Sequence, residues 1–265
     1  MAMTRATVTG WRKQGEMSQR GGCSQVRLER VHDVMAGHVQ RGAVPGIVTL
    51  VSRRGEAQVN AVDAKTSGDG EPIRRDTIFR ITSMTKPITA AAAMILVEEC
   101  KLRLDEPVDR LLPELANRKV LRRIDAPLED TMLATRPITL RDLLTLRMGL
   151  GLIWGSPDRY PIQRGIGELQ IVGFGPPNQS TPYDPDEWLR RLATLPLMHQ
   201  PGERWMYNTG SYVLGVLIAR ASGQTLETFL RERIFEPLGM RDTAFSVPPA
   251  KRGRLATSDW VNIEA

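Results

Sequence analysis

Between Val26 and Arg41 the apolar residues Val26, Leu28, Val31, Val34, Met35 and Val39 fall mostly on one stripe at helical spacing, which predicts an amphipathic helix. Gly46 to Ser52 is a β-rich run, Arg53-Arg54-Gly55-Glu56 a turn, and Ala57 to Val62 a returning strand, so the stretch reads as a hairpin. Thr66 to Pro72 reads as loop, and Thr77 to Ile81 as a short strand or extended lead-in. A helix over Ser83 to Glu99 follows, with an alanine-rich body from Ala90 to Ala93 and Pro87 near its first turn, where a missing N–H is tolerated. Asp109 to Leu115 and Ile138 to Met148 predict two further helices, the second with Thr139 as N-cap and Gly149 and Gly151 as stops. Residues 155–184 hold five Gly and five Pro and read as an irregular segment. Asp184-Pro185-Asp186-Glu187 opens the next helix, to about Leu195, with Asp at N-cap and Pro at N1. Pro201-Gly202-Glu203 is a turn, and Val213 to Ala221 and Leu226 to Phe235 are helices, the first closed by Gly223.

Composition narrows the class. The chain has 265 residues, 41% hydrophobic and 25% charged, enough for one large domain or two small ones with a real core. The longest apolar run, Ala90 to Val97, falls far short of the roughly 18 residues that suggest a membrane helix. The net charge of +6 raises the question of nucleic acid. Residues 1–30 carry six basic against two acidic side chains, a net +4, so most of the excess sits in the N-terminal part. Residues 1–25 are expected to be a flexible basic arm, with no nucleic-acid partner, because no binding motif accompanies the charge. Thr4 to Gly22 contains no apolar core of a secretory signal, and Met17 is an alternative start. Cys23 and Cys100 make no disulfide framework. These features predict a cytoplasmic protein without a membrane partner.

The candidate chemistry lies at the start of the alanine-rich helix. Ser83-Met84-Thr85-Lys86 is an S-x-x-K motif, and residues three apart share a helix face, so the Lys86 amine can reach the Ser83 hydroxyl. A serine hydroxyl is a weak nucleophile that needs a neighbouring base, and a lysine near apolar walls or other cations loses proton affinity and can serve as one. The helix N-terminus adds partial positive charge near the reacting oxygen. The tetrapeptide alone is weakly specific: a capping serine and a solvent-facing lysine give the same letters.

Its context is more specific. Five segments occur in order: Thr77 to Lys86, Leu104 to Val108, Ile138 to Leu144, Pro201 to Tyr207 and Pro237 to Thr243. With these, residues 26–246 resemble the serine β-lactamase and penicillin-recognising superfamily, nearest to class C-type β-lactamases and family VIII carboxylesterases. The resemblance implies an α/β (α+β) fold of the β-lactamase/transpeptidase type over residues 26–265. It implies Tyr207 as a second proton-transfer group whose phenol takes the Ser83 proton and later activates water. The family's Tyr-x-Asn reads Tyr207-Asn208-Thr209 here, so Thr stands where relatives carry the Asn that contacts substrate. Asn208 and Thr209 are the substrate-binding candidates at this position. The family's third motif, Lys-Thr-Gly or a variant, does not occur after Tyr207. The expectation is therefore a chain incomplete at its C-terminal end, lacking much of the antiparallel sheet and one oxyanion donor.

Other chemistries fit less well. There is no G-x-S-x-G elbow, and His32 and His38 fall on the first helix, expected at its surface, while His199 precedes a turn. No metal-binding spacing, P-loop or dinucleotide fingerprint is present, so neither metal nor cofactor is expected. Trp154 and Trp188 are either packing residues or cleft walls, and Trp154 is kept as a substrate-binding candidate. The sequence thus predicts acyl transfer through Ser83, on a small carboxylic ester in preference to a β-lactam. Thr209 weakens the amide contact a lactam would use. The competing expectation is a catalytically impaired homologue that at most binds ligand.

Overall fold

The computed structural model describes residues 22–65, 71–156, 158–171 and 183–257. The basic arm, most of the 66–72 loop, much of the 155–184 segment and the last eight positions therefore lie largely outside the described residues. The chain divides into two compact units, one spanning the chain up to Arg80 together with the residues from Ser246 onward, the other Ile81–Phe245.

In the first unit, α1 (Gln25–Gln40) packs on an antiparallel hairpin of β1 (Gly46–Arg53) and β2 (Glu56–Asp63). Arg54 and Gly55 form the turn, both at positive φ. Ala36, Val39 and Val62 make a small core with Ile47 against it. His32 is half-buried instead of lying at the surface, with Nδ1 3.0 Å from Asn60 Oδ1 on β2. The expected strand at Thr77–Ile81 amounts to a single parallel bridge between Ile78 and Leu255.

The second unit is mainly helical around one continuous core. Its central layer is α2 (Thr85–Glu98) against α6 (Thr209–Ser222). Ala92 and Ala93 are completely buried, and their small side chains allow close packing. Around this pair lie α3 (Leu140–Leu144), α4 (Pro161–Glu168), α5 (Pro185–Thr194) and α7 (Leu226–Leu230). A short antiparallel pair, β3 (Lys119–Leu121) with β4 (Thr131–Leu133), completes the unit. The sequence pattern had not suggested this pair, because three residues are too few to show an alternation.

Several helices differ from the expectation for local reasons. Ile138–Met148 shortens to α3: Thr139 and Asp142 form the capping box at its start, and Leu146 turns left-handed at its end with Arg147 N–H donating to the Asp142 carbonyl. Asp109–Leu115 splits into two 3₁₀ turns, Val108–Arg110 and Pro113–Leu115, because Pro113 cannot continue a helix. Leu226–Phe235 becomes α7 followed by a π-turn over Arg231–Phe235. Inside the segment expected to be irregular, α4 forms with Pro161 at its start. Its Gly165 permits close approach: an added Cβ would lie 3.1 Å from Leu195 and 3.2 Å from Leu128. The expected caps of α5 and α6 are present: Asp184 Oδ1 accepts from the Glu187 N–H at 2.8 Å, and Gly223 closes α6 at positive φ.

Arg118 is buried, and among the described residues it pairs with no carboxylate. It donates instead to the carbonyls of Ala193 and Leu195 at the C-terminal end of α5, where backbone partial charge is negative. Burial pushes its guanidinium down to about 10, so it stays a cation at neutral pH. Among the described residues no helix is long and apolar enough to cross a membrane.

Candidate active site

Ser83 sits in a 3₁₀ turn, Thr82–Met84, that runs directly into α2, so the expected single helix over Ser83–Glu99 is a tighter turn followed by an α-helix. Thr82, just before the serine, has φ of 39°, which lies outside the usual range for a β-branched residue. The i, i+3 spacing survives the change of helix type: Lys86 Nζ donates to Ser83 Oγ at 3.1 Å. Ser83 is exposed and Lys86 half-buried.

Tyr207 reaches the same point from a distant part of the chain, with its Oη 2.6 Å from Ser83 Oγ. Lys86 Nζ lies over the Tyr207 ring, 4.5 Å from its centre. Hydrogen bonding with Ser83 and, next, with Lys86 holds the Tyr207 phenol below the usual tyrosine value; burial opposes this less strongly, and the Lys86 charge adds the smallest lowering effect. Ser83, Lys86 and Tyr207 thus form one hydrogen-bonded cluster, all within the Ile81–Phe245 unit. The cluster can pass a proton from the serine hydroxyl to a phenolate beside a lysine and return it later.

Backbone approach places the tyrosine. Leu152 N–H donates to the Tyr207 carbonyl at 2.9 Å, and Met206 N–H to the Leu146 carbonyl at 2.8 Å. Gly151 makes this possible: an added Cβ would stand 2.6 Å from Met206 Cβ and 2.8 Å from the Met206 and Tyr207 carbonyl oxygens. Gly149 and Gly151, expected only as helix stops, are therefore sites of close backbone contact, Gly149 against the His199 carbonyl. A G-x-G spacing ahead of an aromatic segment was the available signal.

The other candidates separate. Trp154 is 73% exposed and its ring stacks at 6.4 Å on Tyr207, so it stands at the mouth of the cluster. Trp205, absent from the sequence candidates, is 54% exposed and lies 5.9 Å from Tyr207 with its plane tilted by 32°. Its position two residues before a candidate catalytic tyrosine was the only hint. Trp188 is a packing residue, buried, with Nε1 donating to the Ile171 carbonyl at 2.7 Å. Asn208 is engaged by Tyr212, its Nδ2 donating to Tyr212 Oη at 2.8 Å. Asn208 also has φ of 86° and ψ of −57°, a conformation that costs a non-glycine residue of order 1–3 kcal/mol. Thr209 is buried as the first residue of α6. His199 is half-buried, with its imidazole held below the ordinary value mainly by burial and then by Arg204, and is no part of the cluster. Among the described residues no group of three or more His, Cys, Asp or Glu is arranged to hold a metal ion.

Comparison with known proteins identifies the family. Protein Rv1367c of Mycobacterium tuberculosis is 43% identical over 217 residues, covering 82% of this chain and 51% of the relative. Esterase EstB of Burkholderia gladioli is 37% identical over 221 residues, covering 83% and 51%. Among solved structures, EstCE1, described as a hydrolase with promiscuous acyltransferase activity, superimposes with a TM-score of 0.73 at 29% identity, over 88% of this chain and 56% of that one. The chain spans about half the length of the curated relatives it matches. The fold is accordingly an α/β fold related to the β-lactamase/transpeptidase superfamily. The model of the beta-lactamase family matches residues 31–263, and with Ser83, Lys86 and Tyr207 all inside that span, the chain belongs to this family.

Proposed function

We propose that this protein is a serine acyl-transfer enzyme acting on small carboxylic esters. The observation that carries the reading is the contact of Ser83 Oγ with both Tyr207 Oη, at 2.6 Å, and Lys86 Nζ, at 3.1 Å. In the proposed cycle the Ser83 oxygen bonds to the ester carbonyl carbon while its proton passes to the Tyr207 phenolate, steadied by Lys86. Collapse of the tetrahedral adduct breaks the bond to the alkoxy oxygen, which leaves as alcohol with that proton. Water then gives its proton to Tyr207 and attacks the acyl carbon, releasing the acid and restoring Ser83. A second alcohol in place of water would give a transferred ester.

One feature supports an apolar acyl group and another the ester class. Trp154 and Trp205 leave large aromatic surfaces in solvent beside Tyr207. The esterase and hydrolase names of EstB and EstCE1 support esters over lactams. Trp154 is proposed to contact the acyl chain, whereas Asn208, bonded to Tyr212, and Thr209, buried in α6, are not carried forward as substrate contacts.

The test is release of nitrophenol from p-nitrophenyl acetate and butyrate, with Ser83→Ala as control and nitrocefin as the lactam probe. Ester turnover that disappears in Ser83→Ala supports the reading. Equal slow release by both proteins refutes it, and faster Ser83-dependent turnover of nitrocefin would move the substrate class to lactams.

A further inference from the structure

The sharp corner at Asn208 lies between the tyrosine that touches Ser83 and the buried helix α6. Its backbone sits at φ 86° and ψ −57°, and its side chain spans to Tyr212, one turn into α6, at 2.8 Å. Tyr212 is itself braced, with its ring edge-on to Trp188 at 5.9 Å and 73°. Trp188 is buried in α5 and tied to the Ile171 carbonyl. A fixed line of contacts thus runs from the core of the unit through Tyr212 to the residue next to Tyr207. On the N-terminal side of Tyr207 the Met206 N–H is pinned to the Leu146 carbonyl, and on the Asn208 side the Tyr207 carbonyl also accepts from the Leu152 N–H. The peptide that carries the Tyr207 ring is therefore held at both ends, and Asn208 is the end held by a side chain.

We infer that Asn208 and Tyr212 are a positioning pair whose hydrogen bond holds the left-handed corner and so keeps Tyr207 Oη against Ser83 Oγ. The inference rests on the acyl-transfer reading for its effect on rate, but its structural content is independent of turnover. Neither residue touches the reacting atoms; both act through Tyr207. The corner suits this task because a residue at positive φ relaxes toward ordinary φ when its side-chain tie is lost, and that rotation swings the preceding side chain. The charged group facing Tyr207, Lys86 on α2, does not depend on this corner, so loss of the tie separates the phenol from its partners without removing them.

Two variants test the pair. Tyr212→Phe keeps the ring packed on Trp188 and removes only the acceptor. Asn208→Gly accepts the positive φ without cost and removes only the donor. In each background, phenolate absorbance is titrated with and without Tyr207→Phe, which marks the ionisation that belongs to Tyr207, while urea unfolding checks that the fold is kept. The expected result is that Tyr207 ionises at higher pH in both variants. Kcat for p-nitrophenyl butyrate should fall by about tenfold to a hundredfold, with KM within about twofold, as expected for misplacement of a proton-transfer group. An unchanged Tyr207 titration in both folded variants overturns the pairing, even if wild-type turnover depends on Ser83. If wild type shows no Ser83-dependent turnover, the acyl-transfer reading fails, and the titration alone still decides whether the pair positions Tyr207.

Discussion

Ser83 Oγ and Tyr207 Oη lie 2.6 Å apart although 124 positions separate them in the chain. One comes from the turn that starts α2 and the other from the loop before α6, and the packing of these two helices brings them together. Removal of either oxygen should leave a folded protein with little turnover. Tyr207→Phe and Lys86→Met are each expected to lower kcat by about 10²–10⁴-fold, and Ser83→Ala by at least as much. Because the three act as a unit, the Ser83→Ala/Tyr207→Phe double variant should be no slower than Ser83→Ala alone. Steady-state kinetics on p-nitrophenyl butyrate would reveal a multiplicative loss, which would mean that the two residues act separately.

The pH profile follows from the direction of the Tyr207 shift. A lowered value favours the phenolate, so a step that needs phenolate is complete above that value and lost as pH falls through it. The midpoint of the rise of kcat/KM with pH should therefore lie below 10, the ordinary tyrosine value. Lys86→Met removes the neighbouring charge and should move the rise to higher pH. A limb at the same pH in wild type and Lys86→Met would show that a different group titrates.

Gly151 offers a backbone test of the site. A methyl group there meets Met206 and two carbonyl oxygens within 2.8 Å, so the Met206–Tyr207 strand must move. Gly151→Ala should destabilise the fold by about 1–3 kcal/mol. Turnover should fall by more than the lost population explains, since displacement of a reacting group by about 1 Å can cost on the order of 10²-fold. Comparing kcat with the urea midpoint separates the two effects. Full activity in a destabilised Gly151→Ala protein would show that the Tyr207 position tolerates this shift.

Asp142 is the acid-sensitive point of the fold near α3. Burial raises its carboxyl, but the Arg136 guanidinium and the Thr139 N–H and hydroxyl outweigh burial and hold it below the ordinary value. Such a group contributes stability that is present above its unfolded value near 3.9 and lost as pH falls through the lower folded value. Asp142→Asn should cost roughly 1.5–3 kcal/mol at neutral pH, the range for hydrogen bonds to a charged group. The difference from wild type should shrink as pH falls below the unfolded value near 3.9. Chemical unfolding at pH 7 and pH 2.5 measures both; an equal loss at the two pH values would exclude the carboxylate as the cause.

The chain's local chemistry determined much of this protein. The S-x-x-K spacing placed Lys86 on the face of Ser83, because a separation of three residues survives in either helix type. Thr139, Asp184 and Gly223 marked helix ends, since capping needs only neighbouring backbone groups. The five ordered segments were enough to predict the family and to bring Tyr207 into the site. Tertiary structure alone decided the rest. Gly151 and Trp205 matter through contacts with Tyr207, and Asn208 through its bond to Tyr212, which a reading of residue types assigned instead to substrate. Helix α4 and the β3–β4 pair were likewise hidden, because their stability comes from burial against Leu195, Leu128 and Leu197 and not from their own short patterns. A local pattern records what a residue can do with its near neighbours. The distance from Tyr207 to Ser83 is set by the packing of α2 on α6, a contact between parts of the chain that carry no mutual signal in sequence.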